Sequence, residues 1–270
     1  MSRELRLLPV EGLPEVEEGM KLGELIAAQA ELEAGDIVVI SQKIVSKAEG
    51  RVRRLAEVEP SERAHELAKE LGKEAELVEL VLSESREVLR AERGVLITAT
   101  HHGFVCANAG IDASNLPDER TVCLLPLDPD ASARAIRAEL APASEGSGVG
   151  VAGPSPLLPA DPHSGPLPPA VLITDSFGRA WRLGQAEVAI GCAGLTPLDD
   201  WRGRTDANGR ELTATAIAIA DEVAAAADLV RVKDSGIPAA IVRGLQPYVM
   251  AEDGPGAAAL RRPAEEDLFR

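Results

Sequence analysis

The sequence predicts an α+β protein, and three observations lead there. Short runs of branched aliphatic residues, such as Ile37-Val38-Val39-Ile40 and Val171-Leu172-Ile173-Thr174, read as buried strands. Other segments repeat apolar residues at helical spacing. The two kinds do not alternate regularly enough for a doubly wound parallel sheet, so a mixed architecture is expected.

Taken in order, residues 5–10 read as a first strand, followed by a turn-rich loop from Gly12 to Val16. Residues 20–33 read as a helix, with Leu22, Leu25, Ile26 and Ala30 on one face. Gly35-Asp36 turns into the strand 37–40, and the polar stretch 41–47 with Lys43 and Lys47 lies at its end. Ligands gather at that end of a strand in sheets flanked by helices, although surface lysines fit the same pattern. Pro60-Ser61-Glu62 starts a helix, with Ser61 as cap. Residues 64–89 read as helical in two pieces, broken near Gly72.

Residues 94–98 and 121–127 read as strands, and Pro129-Asp130 opens a helix to about residue 140. Residues 141–169 are crowded with Pro, Gly and Ser and read as a loop or insertion. They contain Gly148-Val-Gly-Val-Ala-Gly153, a literal dinucleotide fingerprint. No strand precedes it and Pro154 and Pro156 follow, so it is rejected. Strands are expected at 171–174, 186–194 and 239–242, a turn at 205–209 and a long Ala-rich helix over 210–230. The chain is read as one unit over residues 1–250, with room for two subdomains, and a loosely held tail over 251–270.

Composition narrows the function. The net charge is −16, from 28 basic and 44 acidic residues, which disfavours nucleic acid as a partner. Three Phe, two Trp and one Tyr offer little aromatic surface for stacking bases. Cys106, Cys123 and Cys192 have no paired spacing, which suggests a reducing compartment. No apolar run reaches membrane-spanning length and no signal peptide is evident. The expectation is a cytoplasmic protein without a membrane partner.

The densest chemistry lies in residues 94–115, where His101, His102, Cys106, Asn108, Asp112, Ser114 and Asn115 follow a short strand. Small residues there let a ligand approach the backbone. Adjacent histidines diverge on almost any backbone and seldom share a metal, and Asn108 and Asp112 also suit turns. Asp112 and Asp175 each read as a carboxylate just beyond an apolar strand. With Ser176 they suit magnesium or manganese, because such hard cations take one or two carboxylates and leave room for phosphate oxygens. Lys43, Lys47 and Arg182 could then meet a nucleotide's charge. No P-loop, Gly-x-Ser-x-Gly or His-Glu-x-x-His motif is present.

Four stretches resemble the coenzyme F420:L-glutamate ligase family. They are residues 35–51 (GDIVVISQKIVSKAEGR), 100–115 (THHGFVCANAGIDASN), 173–182 (ITDSFGRAWR) and 236–244 (GIPAAIVRG). The resemblance implies an F420-0:gamma-glutamyl ligase-like fold with mixed sheets. It implies GTP-dependent addition of L-glutamate to coenzyme F420-0 or its dehydro form, with further gamma-linked glutamates in some members. By the same resemblance, Asp112, Asp175 and Ser176 hold divalent metal. Leu13, Pro14, Glu15, Val16, Gln42, Lys43, Lys47 and Asn115 contact GTP. Potassium assists, and the chain forms a homodimer. One stretch departs from the family pattern: Val232 stands near a position where members carry a metal ligand, leaving Lys233 or Asp234 to supply charge or a donor. The residues by themselves also fit a metal-dependent phosphohydrolase or a non-catalytic nucleotide-binding protein.

Overall fold

The computed structural model describes residues 4–113, 120–140 and 167–267. In chain order the elements are β1 (Arg6–Pro9), α1 (Leu22–Gln29), β2 (Ile37–Ser41), α2 (Gln42–Ala48) and β3 (Val52–Arg54). Then come α3 (Glu62–Leu71), α4 (Ala75–Ser83), β4 (Ser85–Glu92), β5 (Val95–Thr100), β6 (Val105–Ala107) and β7 (Thr121–Cys123). The remainder is α5 (Pro129–Leu140), β8 (Ala170–Gly178), β9 (Gln185–Ala193), β10 (Asp199–Asp200), β11 (Ala216–Ile217), α6 (Ile219–Asp228) and β12 (Ala239–Arg243).

The central sheet runs β1-β12-β2-β8-β9. Only the β2–β8 pair is parallel; its neighbours are antiparallel. The sheet is therefore mixed, as expected from the sequence. Alternation along each strand feeds two cores. Val38, Ile40, Val171, Ile173 and Ile241 face one core with α1, α2 and α5. Ile37, Val39, Leu172, Ala240 and Val242 face the other with α6. Burial on both faces is why these strands read as unbroken apolar runs.

A second antiparallel sheet, β4-β5-β6, packs against α3 and α4 around Ala64, Val78, Val81 and Leu96. Ser61 caps α3 as expected, its hydroxyl accepting from the Ala64 N–H at 3.3 Å. Gly72 ends that helix in a left-handed conformation, φ 66°.

The structure corrects several expectations. The second helical piece stops at Ser83, and residues 85–89 belong to β4, paired with β5. Arg, Glu and Leu favour helix there, but cross-strand pairing overrides weak local preference. Helix α6 begins at Ile219, not near 210. The preceding residues pair instead: Trp201 N–H bonds to Thr215 O and β10 pairs with β11. The polar stretch after β2, to which the sequence assigned no element, forms α2. Part of the tail is pinned. Asp253 O accepts from the Gly194 N–H, and Asp130 accepts from the N–H groups of Ala257 and Ala258. The expected insertion, apart from its last three positions, lies outside the described residues.

Candidate active site

Strand β2 ends at Ser41, opposite Thr174 of β8. Beyond that point β8 continues as Asp175-Ser176-Phe177-Gly178, paired only with β9. Asp175 is thus within a strand, at the step where its neighbour β2 has given way to α2. A cleft of about 400 Å³ opens there. Leu13, Pro14, Glu15, Val16, Lys43 and Lys47 line it from one side; Glu187, Asp228, Arg231 and Lys233 line it from the other.

Asp112 reaches this place by a relay of backbone contacts. Strand β3 follows α2 and pairs with β7. Asp112 bridges to Cys123 of β7, with N–H···O distances of 3.0 and 2.8 Å in the two directions. Its carboxylate then lies 2.9 Å from Lys43 Nζ. The turn that delivers it is tightly wound: Asn108, Ala109 and Gly110 all have positive φ. Gly110 is required there, since a Cβ would come within 2.7 Å of Leu125.

Asp175 completes the group. Enclosure by protein drives its pKa up to about 7, and the charges of Glu187 and Asp112 push the same way. The Ser176 N–H and the Lys43 ammonium oppose the shift. The two aspartates, 63 positions apart in sequence, therefore share one electrostatic environment with Lys43.

Ser176 does not converge with Asp175. Successive residues of a strand point to opposite faces. Ser176 Oγ donates to Glu187 Oε1 at 2.5 Å and accepts from Lys233 Nζ at 2.8 Å. Buried Arg231 donates to Glu187 at 3.3 Å and to Thr174 Oγ1 at 3.1 Å. The expected third oxygen donor thus belongs to a second, ion-paired cluster on the α6 side. None of Asp112, Asp175 and Ser176 lines the cleft; Asp112 pairs with Lys43, and Ser176 bonds Glu187 and Lys233, which do line it.

Six of the residues expected at the nucleotide do line the cleft: Leu13, Pro14, Glu15, Val16, Lys43 and Lys47. Gln42 does not. It is fully buried and its Oε1 accepts from Ser46 at 2.9 Å. Asn115 lies outside the described residues. Lys47 pairs with Glu15 at 2.5 Å. Arg182 sits on the exposed turn between β8 and β9, away from the cleft lining. Sequence reasoning missed Glu187 and Asp228, which alternate with small residues in β9 and α6 and carry no motif.

The histidines diverge as expected. His101 Nε2 contacts Ser83 O and His102 Nε2 contacts Pro126 O. Burial lowers the His102 pKa, which favours its neutral form. Among the described residues, no group of three or more His, Cys, Asp or Glu is gathered for a metal ion. The two-carboxylate set of Asp112 and Asp175 nonetheless fits magnesium or manganese chemically. Its donors are hard oxygens, and burial first, then the nearby carboxylates, disfavour an unaccompanied Asp175 anion, a cost that a cation would offset.

The sequence profile described as F420-0:Gamma-glutamyl ligase matches residues 12–152 and 166–244. The coenzyme F420:L-glutamate ligase of Archaeoglobus fulgidus is 43% identical over 98% of this chain and 96% of its own length. Those of Methanothermobacter thermautotrophicus and Methanopyrus kandleri are each 42% identical over 98% of this chain, covering 99% and 98% of their own lengths. This chain belongs to the F420-0:gamma-glutamyl ligase family. Membership covers both walls of the cleft, since the matched residues include Leu13 through Val16, Lys43, Glu187 and Lys233. In this F420-0:gamma-glutamyl ligase family member the described cation and nucleotide candidates fall on the loop between β1 and α1, on α2, on β8 and on the turn before β7.

Proposed function

We propose that the chain is a GTP-dependent ligase that joins L-glutamate to the carboxylate of coenzyme F420-0 or its dehydro form. The observation that carries this reading is the Asp112–Lys43 ion pair within the electrostatic reach of Asp175, beside a cleft lined by Lys43 and Lys47. Family membership and the names of its relatives support the substrates. The positive side chains matter because GTP and both carboxylate substrates are anions approaching a chain of net charge −16.

A carboxylate is a poor acyl donor, since its leaving group would be oxide. One acceptor carboxylate oxygen attacks the γ-phosphorus of GTP, the bond to the β-phosphate oxygen breaks, and GDP leaves. The resulting acyl phosphate has phosphate as its leaving group. The free amine of glutamate attacks the carbonyl carbon, the carbon–oxygen bond to phosphate breaks, and the nitrogen releases its proton. Lys43 and Lys47 orient the phosphates and stabilise charge on the transferring group. Asp112 and Asp175 are the residues that would hold a divalent cation, which would supply further neutralisation of the phosphate charge. Potassium, a homodimeric assembly and a cytoplasmic setting belong to the same reading. No helix among the described residues is long and apolar enough to cross a membrane.

The experiment is incubation with GTP, magnesium or manganese, L-glutamate and each acceptor form, read by mass spectrometry. The ligase reading requires an acceptor heavier by one glutamyl unit, with GDP and phosphate released only when all substrates are present. Phosphate release without glutamate would instead mark a phosphohydrolase.

A further inference from the structure

An aromatic group begins two residues beyond Asp175. Phe177 shares the Asp175 face of β8, since alternate residues of a strand point the same way. Its ring meets that of Phe104 edge-on at 6.1 Å, and Phe104 stacks on His102 at 5.6 Å and 22°. All three side chains are half-buried, so each keeps part of its surface toward solvent. The chain has only three Phe, and two of them stand here. Cys106, two residues after Phe104, ties the group to the Asp175 site. Burial, then the charge of Asp175, pushes its thiol pKa up to about 12.

The far end of this ledge is cationic. Arg261 lies over the Phe104 ring, its Cζ 5.8 Å from the centroid. Arg261 Nη1 donates to His102 O, and Arg86 Nε donates to Thr100 O at 3.1 Å. Two carbonyls of one turn thus hold both guanidiniums. A Cβ on Gly103 of that turn would lie 3.6 Å from Arg86 Nη2 and 4.0 Å from Arg261 Nη1, so both converge on one point. Like charges brought together repel. Yet in a chain with 44 acidic residues, neither guanidinium pairs with a carboxylate among the described residues. Local conflicts of this kind concentrate where function demands them. Each guanidinium also keeps N–H donors beyond the one it spends on the turn.

An aromatic ledge that ends in two guanidiniums complements a planar ring with oxygen acceptors along its edge. Coenzyme F420-0 has that form: a deazaflavin ring joined through a phosphodiester to the carboxylate that reacts. With the carboxylate beside Asp175, the ring must extend away from the nucleotide's phosphates, and the ledge runs that way. We propose that His102, Phe104 and Phe177 seat the ring of the acceptor, with Arg86 and Arg261 donating to oxygens at its edge. This rests on the ligase reading and adds the location of its acceptor.

The test is steady-state kinetics on the full chain with GTP, manganese, L-glutamate and varied F420-0. The double variant Arg86→Gln/Arg261→Gln should raise the KM for F420-0 about tenfold and leave those for GTP and glutamate within about twofold. The free deazaflavin, which lacks the phospholactate, should compete with F420-0 on wild type and about tenfold less well on the double variant. Phe177→Leu, which keeps the site apolar, should weaken F420-0 and the free deazaflavin together by about threefold or more. No glutamylated product from wild type would sink the ligase reading itself. An active wild type with a double-variant F420-0 KM within about twofold would overturn the ring seat alone. A rise in all three KM values would also overturn it, since that marks a loosened tail. Should the double variant fail to fold by circular dichroism, the exposed single variant Arg86→Gln decides by the same twofold criterion.

Discussion

The ammonium of Lys43 lies 2.9 Å from Oδ2 of Asp112, so a helix-borne lysine neutralises a carboxylate delivered by a distant turn. Lys43 and Asp112 are 19% and 30% exposed at their side chains, which leaves the pair only modestly screened. A cation arriving with nucleotide would take over Asp112 and release Lys43 toward the phosphates. Lys43→Ala should therefore raise the KM for GTP about tenfold and lower kcat as well, because it removes charge from ground state and transition state. Steady-state kinetics with varied GTP checks this; an unchanged KM and kcat would exclude Lys43 from the nucleotide site.

Glu15 holds Lys47 at 2.5 Å on the same side of the cleft, yet the Glu15 side chain is 77% exposed. Such a pair contributes little to stability and yields readily to a stronger anion. Glu15→Gln should tighten GTP binding about two- to fivefold at low salt, with the gain fading as ionic strength rises. Calorimetric titration at two salt concentrations would show it. Weaker binding in the variant would mean that Glu15 itself contacts the nucleotide.

The pKa of Asp175 in the folded chain is raised to about 7 from 3.8. The folded state thus binds more protons than the unfolded state between those values. The contribution of this group to stability falls as pH rises through that window and stays low above it. Asp175→Asn removes the penalty. Relative to wild type, the metal-free variant should gain thermal stability on going from about pH 4 to about pH 8. Melting curves across that range test the sign; a constant difference would mean Asp175 does not titrate there.

Much of this was legible in the sequence, and the reasons differ by residue. The strands 37–40 and 171–174 announce themselves because both faces are buried. Ser61 and Gly72 mark helix ends through side-chain and backbone chemistry that is local. Residues 85–89 misled, since their strand state comes from pairing with β5 across the chain. The aspartates were visible as isolated carboxylates beside apolar runs, but their meeting depends on the β3–β7 pair. Glu187 and Arg231 were not visible: an ion pair on a buried sheet face leaves no spacing signal.

Arg137 gives a prediction about the scaffold. It is 5% exposed and donates to Pro169 O, Met250 O, Ala251 O and Asp253 Oδ1, tying α5 to the segment after β12. Gly194 must be glycine beside it, because a Cβ would fall 2.3 Å from the guanidinium carbon. Arg137→Met should cost about 3 kcal/mol, since it strands several acceptors at once. Urea unfolding measures this; a loss under about 1 kcal/mol would show that water replaces the guanidinium freely.

The central claim is that Asp112 and Asp175 grip one hard cation together with the nucleotide's phosphates. Manganese titration followed by electron paramagnetic resonance, with GTP present, tests it most directly. The account predicts tight manganese uptake by wild type and at least about tenfold weaker uptake by both Asp112→Asn and Asp175→Asn. Wild-type affinity in either folded variant would contradict it.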